Sequence, residues 1–196
     1  MSSITENNNE NNIILISKAI KDSDDIIIEE SQEFAISYDC IEHSKLLNGL
    51  FEDQSFDDLD IPDKIVPIDL GSKILKKIIF FMTNLNQIPL YKNDLKEIPK
   101  PLESTEISDY INKTYYDFLP SKDNREEIFE LTEAANYMAV EKLVDLCCAY
   151  VASLIKGKSV DEVVRDFDIK DELTDSEKKI IEDEFKYTNQ EKDKDV

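Results

Sequence analysis

This sequence predicts an α+β domain, a small sheet surrounded by helices, and three observations lead there. Residues 124–158 carry Ile128, Leu131, Ala135 and Met138, then Val140, Leu143, Val144, Cys147, Val151, Leu154 and Ile155. That three-or-four spacing places side chains on one face of a helix, so this stretch reads as a pair of core helices. Ahead of it lie short β-prone runs at 25–29 (DIIIE), 33–37 (EFAIS) and 64–70 (KIVPIDL). Runs with helical spacing alternate with them, giving the order strand, strand, helix, strand, helix before the central pair.

Each element follows from local chemistry. Residues 1–24 are expected to be a disordered tail and an extension, because 1–12 is polar and asparagine-rich, and the apolar 13–20 has no evident place in the fold. The runs at 25–29 and 33–37, separated by a polar turn, read as a hairpin. Ile41, Leu46, Leu47, Leu50 and Phe51 then give a helix over 39–51, followed by an acidic loop over 52–63. Pro67 suits the third strand to an edge or an end, and Ser72 can cap a helix carrying Ile74, Leu75, Ile78, Ile79 and Met82. Residues 86–120 contain four prolines and weak periodicity, which predicts a long flexible loop with no ordered core element. Tyr110, Tyr115, Tyr116, Phe118 and Leu119 are the residues that could pack back onto the body.

Gly157 is placed to end the second core helix in a left-handed turn. Ser159-Val160-Asp161-Glu162 then reads as a capping box, and Thr174-Asp175-Ser176-Glu177 repeats it. Two trailing helices are therefore expected over 159–189, with Val160, Val163, Val164 and Phe167 on one face of the first and Ile180, Ile181, Phe185 and Tyr187 on the second. Residues 190–196 form a charged tail.

Composition narrows the function. Forty-four acidic against 23 basic residues give a net charge of -21, which repels phosphate backbones and anionic lipid, so no nucleic-acid or membrane partner is expected. Partners should be basic or apolar where they touch. The longest apolar runs fall far below the roughly 20 residues of a membrane-spanning helix, and the amino terminus lacks the basic start of a signal peptide, so cytoplasm or nucleus is the expected location. His43 is the single histidine, and Cys40, Cys147 and Cys148 have no metal-ligand spacing. No metal, cofactor or catalytic residue is therefore assigned, and a small hydrolase is disfavoured. Gly157-Lys158-Ser159 is not a phosphate-binding loop, because Ala152 stands where that motif needs its first glycine. What remains is apolar surface, more than a small domain can readily cover, and such patches mark partner sites.

Ala134-Ala135-Asn136-Tyr137, Ile155-Lys156-Gly157-Lys158 and Leu173-Thr174-Asp175-Ser176-Glu177 occur in one order. The chain in this respect resembles the Skp family, the adaptors that join F-box proteins to a cullin in SCF ubiquitin ligases. The resemblance extends from Ile26 to Tyr187 and implies a BTB/POZ fold, with a BTB/POZ-like amino-terminal half over 25–85 and its carboxy-terminal helices over 121–158. It implies F-box binding through Val144, Cys148, Val151, Ile155, Val163, Val164, Phe167 and Tyr187, and cullin binding through Asn136 and Tyr137. It further implies a role in ubiquitin-dependent protein catabolism without enzymatic activity, and a possible homodimer when the chain is free. Tyr110 and Tyr187 stand where the family tends to have tryptophan, and Val160 stands where it tends to have proline, so regulation by hydroxylation of that proline is excluded. The alternative is an elongin C-like or divergent viral BTB module that holds F-box proteins without a productive ligase. Elongin C-like proteins lack the two trailing helices.

Overall fold

The computed structural model describes residues 12–51, 64–92, 95, 97–170, 174, 176–177 and 179–180. The chain divides into two compact units, with the boundary between Gly157 and Lys158. The first contains β1 (Asn12–Ser17), β2 (Ile20–Lys21), β3 (Ile27–Glu29), β4 (Glu33–Ser37), a 3-10 turn (Tyr38–His43) and α1 (Lys45–Phe51). It continues through β5 (Ile65–Ile68), α2 (Ser72–Leu85), a second 3-10 turn (Ile107–Asp109), α3 (Lys113–Phe118), α4 (Arg125–Tyr137) and α5 (Glu141–Ile155). The second unit holds α6 (Val160–Asp166). The acidic loop expected at 52–63, the tail at 190–196, and Ile181, Phe185 and Tyr187 lie outside the described residues.

The sheet differs from the expected hairpin. The stretch taken for an extension is the central strand β1 in the order β4-β1-β5. It runs antiparallel to β4, with Ile13 opposite Ile36 and Leu15 opposite Phe34, and parallel to β5, with Leu15 opposite Val66. Ile13, Leu15 and Ser17 point inward and are buried, while Ile14 and Ile16 are half-buried. A strand apolar at nearly every position has no period-two signature, which is why the sequence alone left it unplaced. The runs at 25–29 and 33–37 do not pair: β3 pairs with β2 in a separate two-stranded ribbon. Five residues of β4 against β1 satisfy more backbone groups than the three of β3 could.

The ribbon caps a helix in trans. Gly71 is the N-cap of α2 and has no side chain to offer the first amides, so Ser72 is inside the helix instead of capping it. The Glu29 carboxylate supplies the cap, accepting the Ser72 hydroxyl and the Lys73 N–H at 2.8 Å each. A side chain at 71 would collide with this arrangement, since a Cβ there would sit 2.4 Å from Ile20 Cδ1 and 2.8 Å from Glu29 Oε1. Burial pushes the Glu29 carboxyl up, but the Lys73 amide, the Ser72 hydroxyl and the Lys73 ammonium outweigh burial and hold it below 4.5. A depressed carboxyl stabilises the fold above its unfolded pKa, and that contribution disappears as pH falls through the folded value. Glu29→Gln should therefore unfold at lower urea concentration than the parent at pH 7, and the gap should close as pH drops below 4.5. Parallel urea titrations from neutral to acid pH check this, and a gap that persists below the folded pKa would remove the carboxylate from the account.

The core lies between the sheet and the helices. Ile13, Leu15 and Ile36 of the sheet are buried, as are Ile78, Phe81 and Met82 of α2, Leu131 and Ala135 of α4, and Leu143 and Leu146 of α5. The helix expected over 39–51 is broken at Ser44, which is extended (φ -120°) and fully buried. Its Oγ donates to the Met138 carbonyl at 2.5 Å and accepts the Leu47 N–H at 3.2 Å, so one hydroxyl starts α1 and ties it to the end of α4.

Residues 86–120 also depart from expectation. Their described part is packed and partly helical, with Leu90, Ile98, Ile107, Tyr110, Ile111 and Tyr115 buried. Tyr115 meets Phe81 edge to face at 5.4 Å and donates its hydroxyl to the Ile88 carbonyl at 2.7 Å. Tyr150 of α5 does the same for the Pro120 carbonyl at 2.9 Å. Anchors that occur singly give neither a helical nor a strand period, so the pattern reads as loop even where the chain is held at many points.

Candidate protein-binding interface

Helix α5 is apolar on two sides, and the structure decides which side is core. Leu143, Leu146, Cys147, Tyr150, Ser153 and Leu154 are buried. Val144, Cys148, Val151 and Ile155 follow one another at four, three and four residues and form a second stripe. Val144 and Val151 are half-buried, Cys148 is exposed, and Ile155 is 39% exposed. The sequence pattern had merged the stripes by grouping Val144, Val151 and Ile155 with Leu143 and Leu154, because two overlapping stripes satisfy the same period. The four α5 residues that the resemblance assigns to the F-box fall together on this less buried stripe.

The cysteines divide in the same way. Burial pushes the Cys147 thiol up to about 12, and burial also raises Cys40, so neither is a thiolate at neutral pH. Cys148, expected at the interface by resemblance, belongs to the exposed stripe.

After α5, Gly157 takes φ 79°, the left-handed turn that stops the helix. In the second unit the Ser159 box is present: Glu162 carboxylate accepts the Ser159 N–H and hydroxyl at 2.8 Å each. These bonds hold the Glu162 carboxyl below its ordinary value. The Thr174 box is formed too, with Glu177 accepting the Thr174 N–H at 2.8 Å and its hydroxyl at 2.6 Å. Helix α6 has no fully buried residue. Val163 and Phe167 are half-buried, and Val164 is 38% exposed, all on one helical face.

The Ala134-Ala135-Asn136-Tyr137 motif splits by burial. Its alanines pack inward from α4, while Asn136 and Tyr137 face solvent at the helix end, Tyr137 being 45% exposed. Ala139, in the left-handed region at φ 50°, makes the tight turn to α5 and donates its N–H to the Asn136 carbonyl at 3.0 Å. The Tyr137 hydroxyl accepts the Asp69 N–H at 3.4 Å. Tyr137 borders a depression of about 610 Å³ with an apolar floor from Ile20, Leu70 and Ile74 and a charged rim that includes Lys18, Asp69 and Glu133. Asn136 borders a different depression of about 370 Å³, which it shares with Val144. The two expected partner sites therefore adjoin at Asn136.

One part of the surface had no signal in the sequence. Residues 98–102 stand beside α5 and form a cleft with Asp145, Cys148, Ala149 and Ala152. Among the described residues no group of three or more His, Cys, Asp or Glu side chains could hold a metal ion, and no helix is long and apolar enough to cross a membrane.

Comparison with known proteins fits this surface. A family profile described as Skp1 family, dimerisation domain, matches residues 141–190, which include the exposed stripe of α5 and all of α6. The chain is 32% identical over 162 residues to the S-phase kinase-associated protein 1 homolog of Tetrahymena thermophila, covering 82% of this chain and 90% of that protein. It is 31% identical over 172 residues to the Skp1-related protein of Caenorhabditis elegans, covering 86% and 93%. It is also 31% identical over 165 residues to the SCF ubiquitin ligase complex protein SKP1b of Dictyostelium discoideum, covering 84% and 91%. With relatives matched along more than four fifths of its length and the profile falling on its two-sided helix, the chain belongs to the Skp1 family.

Proposed function

We propose that this chain is a non-enzymatic adaptor that links F-box substrate receptors to a cullin in an SCF-type ubiquitin ligase, in the cytoplasm or nucleus. The observation that carries the reading is the half-buried to exposed stripe Val144, Cys148, Val151 and Ile155 on a helix whose other side is already core. An apolar helix face of this kind suits an apolar helical partner, with affinity from a few large anchors in a desolvated centre. On this reading Val163 and Val164 of α6 and Phe167 at its end, with Tyr187, add to the F-box grip, and Asn136 and Tyr137 touch the cullin. On the same reading the free chain forms a homodimer. The capping box at Ser159 and helix α6 count against an elongin C-like module, which lacks trailing helices.

Affinity capture of the tagged full chain with mass spectrometry tests the adaptor. Recovery of F-box proteins together with a cullin is expected; F-box proteins without a cullin would point to the non-productive module. The two faces can be separated by mutation. Because Asn136 adjoins Val144, the double change Asn136→Lys with Tyr137→Lys reaches both sites, and Tyr137→Lys alone is the cleaner variant. It should weaken cullin binding by about tenfold or more while leaving F-box binding within about twofold. Equal loss of both partners would show that Tyr137 supports the fold or that the faces are misassigned.

A further inference from the structure

We infer that residues 98–102 form the wall of a side pocket on the F-box surface, and that this pocket takes one large apolar side chain from the docked F-box. The inference rests on the F-box reading of α5 and adds to it a specificity pocket built by a different part of the chain.

The cleft lies between Ile98, Pro99, Pro101 and Leu102 on one side and Cys148, Ala149 and Ala152 on the other, with a volume of about 240 Å³. That space is suited to a single aromatic or branched aliphatic side chain, too small for a helix. Its α5 wall is made of small residues, which is what leaves the space open. Cys148 belongs both to the cleft and to the exposed stripe, so a partner lying along the stripe passes the cleft mouth. At the rim, Lys100 pairs with Asp145 at 3.3 Å, and both side chains are more than half exposed, so polar groups frame an apolar interior.

The wall is held in place by side chains that lie away from the cleft. Lys156, just past the end of α5, donates to the carbonyls of Leu102 and Glu103, the second at 3.0 Å. Tyr110 is buried, and its hydroxyl accepts the N–H groups of Glu103 at 2.9 Å and Ser104 at 2.5 Å. An indole could only donate, so the tyrosine at this position supplies an acceptor that tryptophan would not. Ile98 closes the other end as a buried side chain. A segment fixed at both ends is a pre-organised wall, and a partner that uses it need not order it on binding.

The test measures, by calorimetry, the affinity of the full chain for the recombinant F-box segment of a protein recovered with it by affinity capture. Ala149→Trp fills the cleft, Leu102→Ala lowers its wall, and Val144→Asp breaks the stripe at a residue outside the cleft. Filling the cleft is expected to weaken binding by about ten- to a hundredfold, the equivalent of excluding one large apolar side chain. Leu102→Ala is expected to weaken it less, by about three- to tenfold, and it covers the case in which Ala149→Trp fails to fold. If Val144→Asp weakens binding while both cleft variants bind as the parent does, the pocket is overturned and the F-box reading stands. Tighter binding by Leu102→Ala would also overturn it, since residues 98–102 would then be an obstructing strap. A parent that does not bind, or a Val144→Asp variant that binds at full strength, overturns the F-box reading itself.

Discussion

Removal of residues 159–196 is expected to leave a folded body that no longer binds an F-box. The first unit ends at Gly157 and carries the whole described sheet, the core and both partners of the α4–α5 pair, so the cut falls at a natural boundary. What is lost is surface: Val164 and Ile169 are exposed on α6 and just beyond it, and Phe167 is half-buried. Burial in a partner is worth roughly 25 cal/mol per Å², and several anchors removed together exceed the binding energy of an ordinary complex, so affinity should fall by more than about a hundredfold. Circular dichroism should show a cooperative melt in the truncated chain. Phe167→Ala in the full chain is the milder form, with an expected cost of about 2 kcal/mol in binding if that ring is a central anchor. Full-strength F-box binding by the truncated chain would remove α6 from the interface and revive the elongin C-like alternative.

The central helices and the caps were more legible in the sequence than the sheet was. Spacing put Val144, Val151 and Ile155 on the core stripe of α5 and left Cys148 off it, and only the resemblance grouped the four; the capping boxes at Ser159 and Thr174 were readable because caps are local hydrogen bonds between residues three apart. Which stripe of α5 faces the core was not readable, since the choice is made by α4 packing against it and not by period. β1 was missed for the opposite reason: a central strand is apolar at adjacent positions and offers no alternation to detect. The trans cap from Glu29 spans 43 and 44 residues to Ser72 and Lys73, and the bonds from Lys156 to the carbonyls of Leu102 and Glu103 span 54 and 53. No local pattern encodes such pairs.

Tyr115→Ala is the substitution expected to cost the fold most, and it tests the stretch that the sequence read as loop. Tyr115 is fully buried, lies edge to face with Phe81 at 5.4 Å, and spends its hydroxyl on the Ile88 carbonyl at 2.7 Å. Burial also pushes the phenol up to about 12, so the hydroxyl stays protonated and able to donate through the physiological range. Deleting a buried aromatic ring removes its transfer energy and leaves a cavity, about 3–5 kcal/mol together. For a chain of this size that corresponds to a fall in Tm of roughly 6–20 °C. Tyr115→Phe keeps the ring and strands one carbonyl, so it should cost only about 1 kcal/mol. Combining Tyr115→Ala with Phe81→Ala should give less than the sum of the single losses, by about 0.5–1.5 kcal/mol for the ring pair. If Tyr115→Ala instead melts within a degree of the parent, residues 107–118 are not part of the core. The wall at 98–102 then loses its support as well, because Tyr110 holds Glu103 and Ser104 from the same segment.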